Sequence, residues 1–389
     1  MKAPSRAMRP DVKAWRSSLA PALGFVQATT TGDTGALVSC LDLLAQDRLD
    51  PAVARLLPMA TATLRSTAPD HPGFKTLEGM HRKAHFRNTL LLHRGGRLAS
   101  LLQEAALAPV ALKGAPLVQR YYPDLGSRPM SDVDLLLPAG ATFPRVRDCA
   151  AQAGARAHSR QIHAWTFVDD YQLEYDVHRY LAPALAYPAA VDAVRLSEQT
   201  VAMGAADVLT LDAEGHVAHT LVHSTFWNTT TPVRWIADIA SIQRQEPQLD
   251  WERVARTVAL WGWVGGARRN LELLVAKGLV PSLAVAELDQ VEQDGPLDRV
   301  VQALALADPR VRPTRHVAQR MLVMPTRLYA RAGRGNVGRF YEGYLRDLWQ
   351  VDRPDPLARA LLARVHQRVR YGRELPVFAD AEADGRDDG

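Results

Sequence analysis

Residues 131–137, Ser-Asp-Val-Asp-Leu-Leu-Leu, constrain the fold of this chain more than any other stretch. Pro129 and Pro138 bracket them, and proline removes a backbone donor, so the run between them reads as one short strand. Side chains alternate across a strand, which puts Asp132 and Asp134 on one face about 7 Å apart. Val133, Leu135 and Leu137 point the other way, into apolar packing. Leu136 continues the acidic face, so that face is expected to be covered beyond its carboxylate end. Two carboxylates on a mostly buried strand repel each other and lose hydration unless a cation stands between them. A divalent metal is the cation this pattern invites; a solvated strand end is the competing explanation.

A second strand offers a third acid. In residues 172–180, Gln-Leu-Glu-Tyr-Asp-Val-His-Arg-Tyr, the period of two sets Glu174, Asp176 and His178 on one face and Leu173, Tyr175 and Val177 on the other. Paired beside 131–137, it would bring Asp176 to Asp132 and Asp134, with Glu174 taking that place if the register differs. Three acids around two Mg2+ (or Mn2+) ions about 4 Å apart can move a phosphoryl or nucleotidyl group. Ligands that are all oxygen favour these ions over zinc. Upstream, Val110-Ala-Leu-Lys-Gly114 reads as a buried strand ending in a turn before a short helix. Lys113 and Gly114 would there give a triphosphate a positive charge, a close backbone approach and helix N-terminal N–H groups. An ordinary strand–turn–helix junction is the plainer reading. Arg128 is expected either on phosphate or on a site carboxylate, with Ser131 grouped beside it as nucleotide-binding.

Four motifs acquire meaning together: Leu112-Lys-Gly-Ala-Pro-Leu117, Tyr121-Tyr-Pro-Asp-Leu-Gly-Ser-Arg128, Ser131-Asp-Val-Asp-Leu-Leu-Leu137 and Tyr175-Asp-Val-His178. In combination they resemble the bacterial uncharacterised nucleotidyltransferase family, a branch of the DNA polymerase β-like superfamily, best over residues 85–245. The layout is also similar to nucleotidyltransferase toxins of abortive-infection systems. The resemblance implies an α+β fold: a small mixed sheet carrying Asp132, Asp134 and Asp176 as catalytic, metal-binding acids, flanked by N-terminal and C-terminal helical regions. It further implies transfer of an NMP from an NTP, ATP among them, to an acceptor such as a metabolite, peptide, protein or RNA. A nucleotidyltransferase-like module that binds nucleotide, RNA or a partner protein without chemistry is the competing function. One departure is visible: the superfamily's phosphate turn pairs Gly with Gly or Ser, whereas here it is Gly114-Ala115 with a longer spacer.

The surrounding chain sets the organisation. Residues 1–35 show little periodicity and read as a poorly ordered segment, with Thr29–Gly35 as a loop. Residues 36–107 read as a helical module, including a helix opened by Asp50-Pro51 and a long amphipathic helix from about Leu77 to Ala106 that Gly95-Gly96 would bend. An α/β core is expected over 108–214, a helical domain over 215–375 and an acidic disordered tail over 376–389. In the helical domain, His219, His223, Trp227, Arg234 and Asp238 form a cluster. His223, Trp227, Arg234 and Asp238, with Glu174 and His178, would line the cleft wall, a tryptophan stacking on a base. The plainer reading is helix packing with an internal Arg234–Asp238 pair. A metal phosphohydrolase would instead draw on His219, His223 and Asp238.

Several classes are disfavoured. No run of about 18 uncharged apolar residues exists, so no membrane partner is expected. The start lacks the apolar core of a signal peptide. Two cysteines, Cys40 and Cys149, are too few for a disulfide framework or a cysteine zinc site, which fits a cytoplasmic protein. A net charge of +5 is mild, although the arginines of 310–340, interleaved with Tyr329, Phe340, Tyr341 and Tyr344, could meet RNA or an acidic peptide. Solvated faces of amphipathic helices explain the same pattern.

Overall fold

A computed structural model describes residues 12–138, 140–225, 233–305, 323–332 and 336–349. The chain opens with helices α1 (Val12–Thr31), α2 (Thr34–Ala45), α3 (Pro51–Ala54) and α4 (Thr61–Thr67), followed by the long α5 (Phe74–Glu104). The expected disorder of 1–35 is therefore corrected over its described part. Leu19, Ala22, Leu23 and Val26 recur at helical spacing and are all buried. The threonines that resembled a loop return their hydroxyls to the helix: Thr29 donates to the Phe25 carbonyl (3.0 Å) and Thr30 to that of Val26 (2.8 Å). Asp50 caps α3 through the Ala52 N–H, as Asp-Pro predicted.

The sheet follows: β1 (Val110–Leu112), α6 (Gly114–Tyr121), β2 (Asp132–Leu136), α7 (Phe143–Gln152), β3 (Ala155–Arg160), β4 (Ala164–Asp169), β5 (Glu174–His178), α8 (Pro188–Asp192), β6 (Leu196–Met203) and β7 (Ala206–Leu211). Its seven strands run in the order β3-β4-β5-β2-β1-β7-β6. β2 is central, antiparallel to β1 and parallel to β5, so the sheet is mixed and the fold is α+β. β3, β6 and β7 were not expected from the sequence.

Helix α5 runs unbroken through Gly95-Gly96, and the two glycines let it touch the sheet. A Cβ on Gly95 would lie 3.0 Å from the Val133 side chain, and one on Gly96 would lie 1.8 Å from the Met203 carbonyl oxygen. Only a residue without a side chain permits that approach. Because Val133 faces α5, alternation turns Asp132 and Asp134 to the opposite side. At the far end of the hairpin, Asp169 pins β4 to β5: it accepts from the Tyr175 hydroxyl (2.7 Å), the Leu173 N–H (3.0 Å) and Arg94 Nε of α5 (2.5 Å).

Helices α9 (Ala213–His223), α10 (Arg234–Gln245), α11 (Trp251–Leu260), α12 (Val264–Ala276), α13 (Leu283–Ala286) and α14 (Pro296–Ala305) come next, with two more over Met324–Ala332 and Val337–Trp349. Among the described residues no helix is long and apolar enough to cross a membrane. The expected helix at 356–370 and the acidic tail lie outside the described residues.

Candidate active site

The backbone ladder decides which acids meet. In the parallel β2–β5 pair, Asp134 stands opposite Asp176 and Asp132 opposite Glu174. Paired residues share a sheet face, so Asp176 lies beside Asp134 rather than across the sheet. On the other side β4 places Thr166 opposite Asp176, and its hydroxyl donates to Asp176 Oδ1 at 2.6 Å. Ser159 of β3 donates in turn to Thr166 (3.1 Å). A hydrogen-bond relay across three strands thus sets the angle of the Asp176 carboxylate. Ligand atoms of Asp134, Asp176 and His178 fall within 4.8 Å of one another, a grouping that suits a metal ion. Asp132 is not part of that group; it stands one pleat away, half-buried, and accepts from the Ser131 hydroxyl (3.1 Å). Glu174 is exposed.

A cation does stand at the buried acid, and the protein provides it. Lys113, at the junction of β1 and α6, puts its Nζ 2.6 Å from Asp134 Oδ1. His178 Nε2 lies 2.9 Å from the same oxygen and 3.5 Å from Lys113 Nζ. Lys113 has φ +48°, a region L-residues rarely occupy. Such strain collects at functional sites. Burial works against charge on Lys113, but Asp134 and Asp132 more than compensate and hold its ammonium pKa above the ordinary value. Burial would likewise raise Asp134; the Lys113 charge and the His178 hydrogen bond instead hold it well below the usual carboxylate range. Asp132 goes the other way, pushed up to about 6 by burial and by the charge of Asp134. Two neighbouring carboxylates with oppositely shifted affinities for protons are a recurrent mark of reactive centres.

The approach to β2 is held from both sides, on the α5 side by Asn88 and Arg87, which the sequence did not single out. Asn88 of α5, fully buried, donates to the Leu125 and Arg128 carbonyls (2.6 and 2.8 Å) and accepts from the Met130 N–H (3.0 Å). Arg87 donates to the Ser131 carbonyl (2.9 Å). From the other side Arg234 donates to the Pro129 carbonyl (3.0 Å).

Arg128 resolves onto a carboxylate outside the acidic cluster. It forks onto Asp238 of α10, Nε to Oδ1 at 2.6 Å and Nη2 to Oδ2 at 2.8 Å, and the Tyr122 hydroxyl also reaches Oδ1 (2.7 Å). The expected Arg234–Asp238 pair is thereby corrected, as is a phosphate-facing role for Arg128, which is 7% exposed. Helical spacing suggested a local partner, and the fold supplied one 110 residues away.

The histidine cluster divides. His219 is buried and its Nε2 bonds the Leu181 carbonyl (2.9 Å), while His223 on the same helix is exposed. With Asp238 committed to Arg128, the phosphohydrolase trio His219, His223 and Asp238 is not assembled. Trp227 lies outside the described residues, as do Arg310, Arg312, Arg315 and Arg320. Arg327 and Arg331 serve the interior: both bind Asp298, at 2.8 and 2.6 Å. These two arginines are therefore not part of the solvated helix face that the arginine run suggested.

Taken as chemistry, the centre has two carboxylates on adjacent strands, a histidine nitrogen, a lysine ammonium and the N-terminus of α6 starting at Gly114. That set can receive a metal-bound polyphosphate. Over residues 52–276, more than half of its length, the chain matches the family described as uncharacterised nucleotidyltransferase. Comparison with curated proteins and with solved structures returned no match.

Proposed function

Because the chain belongs to this nucleotidyltransferase family, we propose that it transfers an NMP group from an NTP to an acceptor, with Asp132, Asp134 and Asp176 as the acids of the centre. The observation that carries the proposal is the pairing of Asp134 with Asp176 on parallel strands, with Lys113 against the same carboxylate. The donor set fits Mg2+ or Mn2+: two acids present oxygens within reach of one another on a buried strand face. A divalent cation bound there would polarise the α-phosphoryl group and neutralise the leaving pyrophosphate.

The chain's own groups do the rest. Thr166 fixes the angle of Asp176, and His178 and Lys113 fix that of Asp134. Gly114 and the following N–H groups of α6 form a positive helix end that would favour a bound anion. The acceptor's oxygen or nitrogen forms a bond to the α-phosphorus as the bond to the bridging oxygen breaks; pyrophosphate departs and the acceptor's proton passes to Asp132 or to water. Asp132, with its affinity for protons raised, suits that exchange. A small metabolite or a peptide is the acceptor class we favour.

Incubating the protein with Mg2+ or Mn2+, each of the four α-32P-labelled NTPs and candidate acceptors tests this. Metal-stimulated label transfer with pyrophosphate release is expected, and its loss in Asp134→Asn. Equal transfer by that variant would remove the assignment. A second reading, binding without chemistry, draws on Lys113 Nζ already neutralising Asp134 and on Ala115 standing where a serine would touch phosphate. Saturable nucleotide binding with no transfer to any acceptor would favour it.

A further inference from the structure

The Asp134 carboxylate is approached from one side only. Lys113 Nζ and His178 Nε2 both reach Oδ1, and among the described residues no donor reaches Oδ2. Asp176 has the same asymmetry, since Thr166 takes its Oδ1. Each acid therefore keeps an oxygen for something else.

His178 adds a sharper constraint. Its Nδ1 lies 3.1 Å from the Tyr180 carbonyl oxygen, an acceptor only, so Nδ1 carries the proton. Its Nε2 lies 2.9 Å from Asp134 Oδ1 and 3.5 Å from Lys113 Nζ. A histidine whose far N–H is tied to a backbone carbonyl while its near nitrogen faces two acids is oriented as metal-ligating histidines are.

We infer that this centre holds one divalent ion, ligated by Asp134, Asp176 and His178, and that the Lys113 ammonium stands as the second cation. The inference rests on the nucleotidyltransferase reading for the identity of the site, and departs from the pair of Mg2+ ions that an all-oxygen trio implied. The geometry agrees with it: Lys113 occupies Oδ1 of Asp134 and Thr166 occupies Oδ1 of Asp176, which leaves one oxygen on each acid for a single ion. A nitrogen ligand also shifts the preference from Mg2+ toward Mn2+ and the later transition ions.

Titrating the full chain with Mn2+ alone, without nucleotide, and following free Mn2+ by EPR reads the count directly. One ion per chain is expected, with nitrogen modulation from His178 in pulsed EPR of the bound ion. His178→Gln is expected to weaken binding about 10–100-fold. Lys113→Met, confirmed folded by circular dichroism, is expected to admit a second ion. Two ions in the unaltered protein, no bound ion, or bound Mn2+ without nitrogen modulation would each overturn the inference. Because no transfer is measured, such a result with label transfer intact would leave the proposed function standing.

Discussion

Asp134 and Asp238 are both buried carboxylates facing a basic side chain, and the fold treats them differently. Asp238 is saturated: Arg128 takes both oxygens in a bidentate fork and Tyr122 adds a third bond, with the side chains 9% and 5% exposed. Asp134 receives its donors on one oxygen, and its lysine partner keeps 22% exposure. A planar guanidinium fork fixes geometry, whereas an ammonium on a flexible stem can be drawn aside by a competing cation or phosphate. Both acids are buried beside a basic side chain; what separates them is the count of oxygens left without a donor.

Four measurements break or sharpen that contrast. Asp134→Asn should lower NMP transfer by about 10³-fold or more, a loss of about 4 kcal/mol of transition-state stabilisation, while unfolding shifts far less. Arg128→Met should do the reverse. It leaves Asp238 buried without its cation and should cost about 3–5 kcal/mol, read from the urea midpoint; a shift under about 1 kcal/mol would end the description of the fork as structural. Thr166→Val keeps the volume but removes the donor that angles Asp176, and transfer or metal affinity should fall about 10–100-fold with folding intact.

The smallest effect concerns pH. In the metal-free protein the Asp132 pKa is raised from 3.8 to about 6, so between those values the folded state binds more protons than the unfolded one. Its stabilising share is complete below that window and is lost as pH rises through about 6. Asp132→Asn should remove this slope and stabilise the metal-free protein by roughly 1 kcal/mol at neutral pH. Unfolding curves at pH 4–8 would show it, and saturating Mn2+ should flatten the same slope in the unaltered chain. An unchanged slope in the variant would mean that Asp132 is not the group responsible.

The strands that matter most were the legible ones. Proline brackets and a period of two exposed 131–137, and the same period put Asp176 and His178 on one face before any pairing was known. His178 was nonetheless set down as a cleft neighbour, because a lone histidine gives no sign of where its second nitrogen is tied. Thr166 was recoverable: the hairpin turn around Asp169–Leu173 fixes its register against Asp176. The hairpin of β6 and β7 was missed because Leu196–Met203 is half polar, although Gly204, with φ +57°, marks its turn. Arg128–Asp238 was not recoverable, since nothing local announces a partner 110 residues on.

The contact between Gly96 and the Met203 carbonyl carries an engineering consequence. Helix α5 also buries Leu91, Leu98 and Leu102 and supplies the Asn88 and Arg87 donors beneath the acidic strand. A fragment starting at β1 would lose its floor and the Asn88 and Arg87 donors together, so a transplantable α/β cassette must begin upstream of residue 74. Within such a cassette even a methyl group at residue 96 would act as a wedge, prising helix from hairpin.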